Sequence, residues 1–420
     1  MSTKKNYALP IIMMFALFFM IAFVTNIQTP FANVVKGQFG LSNFESLLGN
    51  MATFIAYLVM GLPAGILLGK IGYKKTALIA VAVGFIGVSI TLGSGYLGSF
   101  LVYITGAFIS GFSMTLLNTV VNPMLNTLGG GGKKGNQLLT FGGALNSTGG
   151  TIAPIFAGIL VGQIANPTIS DVSPALFVAM AIFALTFAVL YFVNIPEPNA
   201  EKAEETNIKE DIKGALSYTH FKLGLIAIFI YVGIEVGIQS TAYLYMADKV
   251  NGLGMDTGIV GSIIGTYWFL MLIGRILGGF ISGNFTSKTL LTSVSILGLI
   301  FIGSAMLVSS DVTVMFPAID SELSISFYEI PMQIMFLVLT GLATSIMWPN
   351  IFNLATEGLG RYTAIASGLF MTMVVGGGIL PALQGGLADK IGYVGSYWII
   401  IASLVYMLFF AFIGSKPKKV

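Results

Sequence analysis

The sequence predicts an all-α membrane protein: twelve transmembrane helices in two pseudo-symmetric six-helix bundles. Three observations predict it. Of 420 residues, 55% are hydrophobic and only 9% charged, whereas soluble domains carry about 25% charged residues. Apolar stretches of about 20 residues, the length that crosses a hydrocarbon core of about 30 Å, recur along nearly the whole chain. Short motifs of the first half return in the same order in the second. The long continuous runs exclude a β-barrel, whose strands alternate between lipid and lumen. The 52 glycines suit helices that approach closely where lipid supplies no hydrophobic drive between them.

Taken in order, the apolar stretches place spans near 8–33, 47–69, 75–96, 100–126, 137–163, 175–195, 221–247, 258–283, 288–309, 331–356, 361–388 and 393–414. Lys4 and Lys5 ahead of an apolar run from Ala8 imitate a secretory leader. No small-residue cleavage site follows and the run is too long, so it reads as the first membrane helix, retained. One long polar connector, Pro196 to His220, carries six acidic residues among spaced lysines and divides the chain into an N-terminal bundle (1–195), a cytoplasmic linker (196–220) and a C-terminal bundle (221–420). It reads as a solvated, partly helical linker. The connection from Val312 to Glu329 mixes apolar residues with Asp320, Glu322 and Glu329 and fits no span.

With both termini inside, sixteen of the twenty basic residues fall on cytoplasmic segments, and only Lys36, Lys249 and Lys390 fall outside. This is the positive-inside asymmetry, and it places both ends on the cytoplasmic side. Arg275 is the one base within a span. The net charge of +3 is too small and dispersed for a nucleic-acid partner. With no Cys and one His, thiol chemistry, disulfides and Cys-based metal sites are absent, and no cofactor is expected. His220, beside Lys222 at a membrane edge, reads as an interfacial residue ahead of a proton relay.

The repeat is carried by Gly149-Gly150-Thr151-Ile152-Ala153-Pro154 in span five and Gly376-Gly377-Gly378-Ile379-Leu380-Pro381 in span eleven, at an offset of 227. Pro123 and Pro349, and Ile27-Gln28-Thr29 and Ile238-Gln239-Ser240, follow in span order. Parallel six-helix repeats place a binding site between them near the bilayer midplane.

Between spans two and three, Gly65-Ile66-Leu67-Leu68-Gly69-Lys70-Ile71-Gly72-Tyr73-Lys74-Lys75 resembles the loop signature of the major facilitator superfamily, and a weaker copy, Gly279 to Lys288, follows span eight. The family's acidic residue is replaced by Gly69. More narrowly, Asn26-Ile27-Gln28-Thr29-Pro30, Pro63-Ala64-Gly65-Ile66-Leu67, Val121-Asn122-Pro123 and Tyr231-Val232-Gly233-Ile234-Glu235 resemble the L-fucose:proton symporter and glucose-galactose permease family of bacterial sugar transporters, over almost the full length. The resemblance implies the major facilitator fold, a sugar substrate and proton coupling. The acidic residues that fucose symporters carry before the span-one Pro and the span-four Asn-Pro are here Thr29 and Asn118.

Residues four apart share a helix face. Tyr231, Glu235, Gln239 and Tyr243 form one polar stripe in span seven, and Asn118, Asn122 and Asn126 another in span four. Buried amides and carboxylates are costly in lipid without partners, so these faces should point into the bundle or a wet cavity. Amides both donate and accept, as sugar hydroxyls do. Candidate substrate contacts are therefore Asn26, Gln28, Asn118, Asn122, Asn146, Tyr231, Gln239, Tyr243, Tyr267, Trp268, Trp348 and Asn350. The competing role for each is interhelical glue, worth about 1 kcal/mol. Glu235, the one carboxylate placed deep in a span, is the candidate proton site; the alternatives are a neutral hydrogen-bonded acid or a structural pair with Arg275. Gly65, Lys74 and Arg275 are candidates for gating or structure. Gly129 to Lys134 imitates a phosphate loop without its spacing, and Asn146-Ser147-Thr148 is a glycosylation sequon inside an apolar span.

The sequence thus points to an importer of a neutral monosaccharide, with sugar, protons and lipid as partners and the monomer as its working form. An exporter of drugs or metabolites, or a sugar uniporter, shares the same fold. An enzyme is disfavoured because no metal-ligand cluster or nucleophile-base pair is visible. Because the chain lacks Cys, the topology is directly testable: a single Cys replacing Lys36 or Asp171 should react with impermeant thiol reagents from outside, and one replacing Lys133 should not. Reversed labelling would refute the orientation.

Overall fold

The computed structural model describes residues 7–40, 48–161, 168–197, 208–248, 252–255, 257–319 and 324–417. The chain runs through α1 (Ala8–Phe39), α2 (Leu48–Leu97), α3 (Phe100–Leu128), α4 (Gly132–Val161) and α5 (Ser173–Phe192), then the short α6 (Ile208–Leu216), then α7 (Thr219–Ala247), α8 (Thr257–Ser282) and α9 (Ser287–Leu307). A hairpin of β1 (Thr313–Ile319) and β2 (Ile325–Pro331) leads to α10 (Met332–Thr344), α11 (Met347–Thr356), α12 (Thr363–Thr372), α13 (Gly376–Ser396) and α14 (Trp398–Phe409). Among the described residues, nine stretches are long and apolar enough to cross a membrane. The second of these, Met51–Leu97, supplies two crossings, because α2 turns at Gly72. With α4 and the terminal Trp398–Gly414, twelve crossings result.

The helical class holds, with two departures that the sequence pattern explains. The stretch between spans nine and ten is an antiparallel hairpin in register from Thr313↔Pro331 to Ile319↔Ile325. Its residues alternate with period two: Phe316, Ala318 and Ile330 are buried, while Met315, Ile325 and Phe327 are exposed. Span ten is two helices, interrupted at Ser345 and Ile346. Pro349 stands four residues after Ser345, and its missing N–H leaves the Ser345 carbonyl without its helical donor.

By contact, the chain forms two compact units: Met1–Gly131, Leu145–Ser217 and Gly358–Met373 make up one, and Gly132–Ala144, Tyr218–Glu357 and Val374–Val420 the other. Both α4 and the eleventh span are therefore divided. In the first unit, a Cβ at Gly149 would collide with the backbone carbonyl of Phe19; in the second, a Cβ at Gly376 would collide with that of Phe229. The duplicated glycines thus serve the same close approach, span five on span one and span eleven on span seven.

A short turn also recurs outside the register of the six-helix repeat. Lys70-Ile71-Gly72-Tyr73 and Lys390-Ile391-Gly392-Tyr393 both turn at a glycine in the left-handed region, with φ of 82° and 79°. After Gly72, the N–H groups of Tyr73 and Lys74 donate to the two carboxylate oxygens of Glu197 at 2.8 and 2.9 Å, which caps the helix start with the charge it prefers. With ψ of 177° and 163°, both glycines lie in a region almost reserved for glycine, and a side chain at either is strained by about 1 to 3 kcal/mol. At Gly72 a Cβ would also lie 2.5 Å from Glu197 Oε2, whereas at Gly392 it meets nothing within 4 Å. Gly72→Ala should therefore lower the thermal unfolding midpoint in detergent clearly more than Gly392→Ala; equal losses would show that the Glu197 clamp contributes nothing.

Candidate functional site

In the first unit the polar stripe of α3 is present and largely engaged. Asn118 is half-buried, and its amide nitrogen donates to the Tyr57 hydroxyl at 2.9 Å and the Met114 carbonyl at 3.0 Å. Asn122 is fully buried and donates to the backbone carbonyl of Asn118 at 2.7 Å. Asn146 on α4 donates to the Phe18 carbonyl at 3.0 Å. Gly65 faces Gly368 and the Ala364 carbonyl of α12, where a Cβ would have no room, so it serves packing. Lys74 donates to the Tyr191 carbonyl at 2.9 Å. The side chains of Asn26 and Gln28 lie outside the described residues, as does that of Thr29.

In the second unit the stripe of α7 runs from buried to open: Tyr231 is fully buried, Glu235 and Gln239 are half-buried, and Tyr243 is exposed. Glu235 pairs with Arg275 of α8, Oε1 to Nη2 at 3.7 Å, with side chains 15% and 10% exposed. Arg275 also donates from Nε to the Ser345 carbonyl at 3.1 Å and from Nη1 to the Gly143 carbonyl at 3.0 Å. The carbonyl released by Pro349 is thus captured by a guanidinium, whose planar fork holds a carboxylate and two backbone oxygens at once. Aromatic walls stand beside the pair. Tyr231 meets Trp348 edge-on at 6.2 Å, Tyr267 meets Trp268 at 5.6 Å, and the Tyr267 hydroxyl reaches Thr344 Oγ1 at 3.1 Å and the Glu235 carbonyl at 3.4 Å.

Asn350 stands apart from these candidates. Its nitrogen donates to the Ile346 carbonyl at 2.6 Å and its oxygen accepts from Asn136 at 3.0 Å, all of it buried. Both ends of the amide are committed to holding the broken span. His220 is buried at the start of α7, with Nε2 at 2.9 Å from the Glu357 carbonyl.

Sequence reasoning missed three polar groups. Tyr57 follows Thr53 by four residues and Asn50 by seven in span two, a polar face that was the available signal and was not singled out. Glu197 was assigned to the linker, with no sequence signal linking it to Tyr73. Gln384 is fully buried against Gly237, and neither of its amide atoms has a hydrogen-bond partner among the described residues. No group of three or more His, Cys, Asp or Glu able to hold a metal occurs among the described residues.

Membrane-crossing helices that keep amides, phenols and a carboxylate–guanidinium pair within their core define a polytopic membrane transport protein. The chain belongs to the Major Facilitator Superfamily, whose model matches residues 14–374. It is 28% identical over 420 residues to a glucose/galactose transporter of Brucella abortus biovar 1 (strain 9-941), covering 99% of this chain and 96% of that one. It is 21% identical to the L-fucose-proton symporter of Escherichia coli (strain K12), covering 97% and 93%. A crystal structure of the Major Facilitator Superfamily transporter FucP in the outward conformation superposes with a TM-score of 0.80 at 20% identity, covering 96% of this chain and 98% of that one.

The ion pair makes unequal demands on its two members. Glu235→Gln leaves a neutral amide beside Arg275, which still binds Ser345 and Gly143. Arg275→Ala strands a half-buried carboxylate and frees both carbonyls, and breaking a buried pair costs about 3 to 5 kcal/mol. Thermal unfolding should therefore fall further in Arg275→Ala than in Glu235→Gln. The reverse order would show that the backbone contacts of Arg275 are incidental.

Proposed function

We propose that this chain is a secondary-active importer of a neutral monosaccharide, a hexose or deoxyhexose, working by alternating access and coupled to protons. One observation carries the reading. The similarity to proteins named glucose/galactose transporter and L-fucose-proton symporter runs nearly end to end in both chains, so it includes the helices that hold the polar stripes.

The chemistry of those stripes supports a neutral substrate. Asn118, Asn122, Asn146 and Gln239 offer amides, and Tyr231, Tyr243, Tyr267, Trp268 and Trp348 offer flat apolar faces with polar edges. An anionic sugar would want a fixed cation, and Arg275 is held by Glu235 and two carbonyls. Asn26 and Gln28 complete the proposed set. The same reading takes residues 1–195 and 221–420 as the two six-helix halves, 196–220 as a cytoplasmic linker, the bacterial inner membrane as location with both termini cytoplasmic, and the monomer as the working form.

Glu235 is the proposed proton site. Thr29 and Asn118 cannot titrate, and a carboxylate inside a span is a functional residue by default. The contact with Arg275 favours a second reading, in which the pair is purely structural and the protein is a uniporter. Proteoliposomes separate the two. A Glu235→Gln protein should lose sugar accumulation under an imposed pH gradient yet keep counterflow, because the amide mimics the protonated acid. Accumulation that survives would remove Glu235 from coupling, and a wild type that never accumulates sugar is a uniporter. Asn118→Ala and Gln239→Ala should each raise the half-saturation concentration, since an unpaired buried partner costs about 1 to 3 kcal/mol; unchanged values in both would return them to helix packing. Competition by a hexuronate alone, with no effect of glucose, galactose or fucose, would overturn the neutral-sugar reading.

A further inference from the structure

We propose that Tyr57 is a positioning residue that fixes the amide of Asn118, so that the pair offers a hydroxylated solute one acceptor and one donor. The proposal rests on the reading of the chain as a sugar carrier.

The direction of the Asn118 amide is set by chemistry. The Met114 carbonyl can only accept, so the group 3.0 Å from it must be the amide nitrogen. That nitrogen has two protons. One goes to Met114 and the other to the Tyr57 hydroxyl oxygen at 2.9 Å, so neither remains for a solute. The carbonyl Oδ1 of Asn118 has no hydrogen-bond partner among the described residues, and it is the acceptor that the pair offers. Tyr57 accepts the Asn118 bond, and its own proton has no acceptor among the described residues.

The mounting is rigid. Tyr57 is 9% exposed, and beside it α2 and α3 approach so closely that a Cβ at Gly111 would lie 2.5 Å from the Ala56 methyl. A free asparagine could turn over and read a hydroxyl as donor or acceptor. Tied to Tyr57 and Met114, Asn118 can only accept. Two neighbouring hydroxyls of one sugar match the pair: one donates to Asn118 Oδ1, and the next accepts from Tyr57. The pair therefore discriminates by the direction of a hydrogen bond and not only by shape.

Monodeoxy and monofluoro analogues test direction, because fluorine can accept weakly and cannot donate. In proteoliposome counterflow with wild-type protein, one ring position should lose about tenfold in competition whether its hydroxyl is removed or replaced by fluorine, and Asn118→Ala should abolish that loss. At an adjacent position fluorine should be tolerated better than hydrogen, and Tyr57→Phe should abolish the difference while raising half-saturation about fivefold at unchanged maximal rate. The thermal midpoints of Tyr57→Phe, Asn118→Ala and the double variant should be non-additive, which confirms the contact without any ligand. An analogue pattern that neither variant alters overturns the proposal alone. Parent sugars that wild-type protein does not move at all defeat the functional reading, and this proposal with it.

Discussion

A membrane interior offers no water to a stranded peptide group, and that constraint organises this molecule more than any single side chain does. Where Pro349 removes the N–H that span ten needs, the chain supplies Arg275, and the guanidinium that repairs the Ser345 carbonyl also holds Glu235 and Gly143. The repair has a consequence for chemistry. A charged group brought in to satisfy the backbone must itself be compensated, so the break in span ten and the carboxylate of span seven are parts of one arrangement. Any change in the charge of Glu235 is felt by the fork that closes the break.

The same constraint sorts the amides. Asn350 has its nitrogen on Ile346 and its oxygen on Asn136, so it has little left to offer a solute. Asn118 commits its amide nitrogen twice, and its oxygen has no partner among the described residues. Two residues of identical type, on helices that both carry a proline, thus differ in how much of the amide their packing occupies. What separates them is the number of neighbours able to reach each amide, which helix periodicity does not encode.

That difference marks how far the sequence could be read. Composition, span length and the glycine repeat made the architecture legible, because each depends on hydrocarbon thickness and close backbone approach, and both leave periodic traces. Glu235 and Arg275 were legible as isolated charges in apolar spans. The hairpin at Thr313–Pro331 was not read as strands, although its period-two alternation was present, because Asp320, Glu322 and Glu329 suggested an irregular connection. The roles of Tyr57 and Glu197 were not legible for a different reason: they exist only through partners 61 and more than 120 positions away, and no local pattern records a contact of that separation.

The Glu197 clamp shows how a missing motif residue is replaced. The loop after span two carries Gly69 where the family signature has an acid, which on the signature alone removes a charge from that corner of the bundle. The structure returns a carboxylate to that corner from the end of span six, aimed at the first amides of the following helix. It can do so only because Gly72 has no side chain there and turns with φ of 82°. A helix N-terminus needs an anion nearby and is indifferent to which segment supplies it. The physical requirement is therefore met here although the motif is broken, and the gap at Gly69 is no argument that this corner lacks electrostatic support.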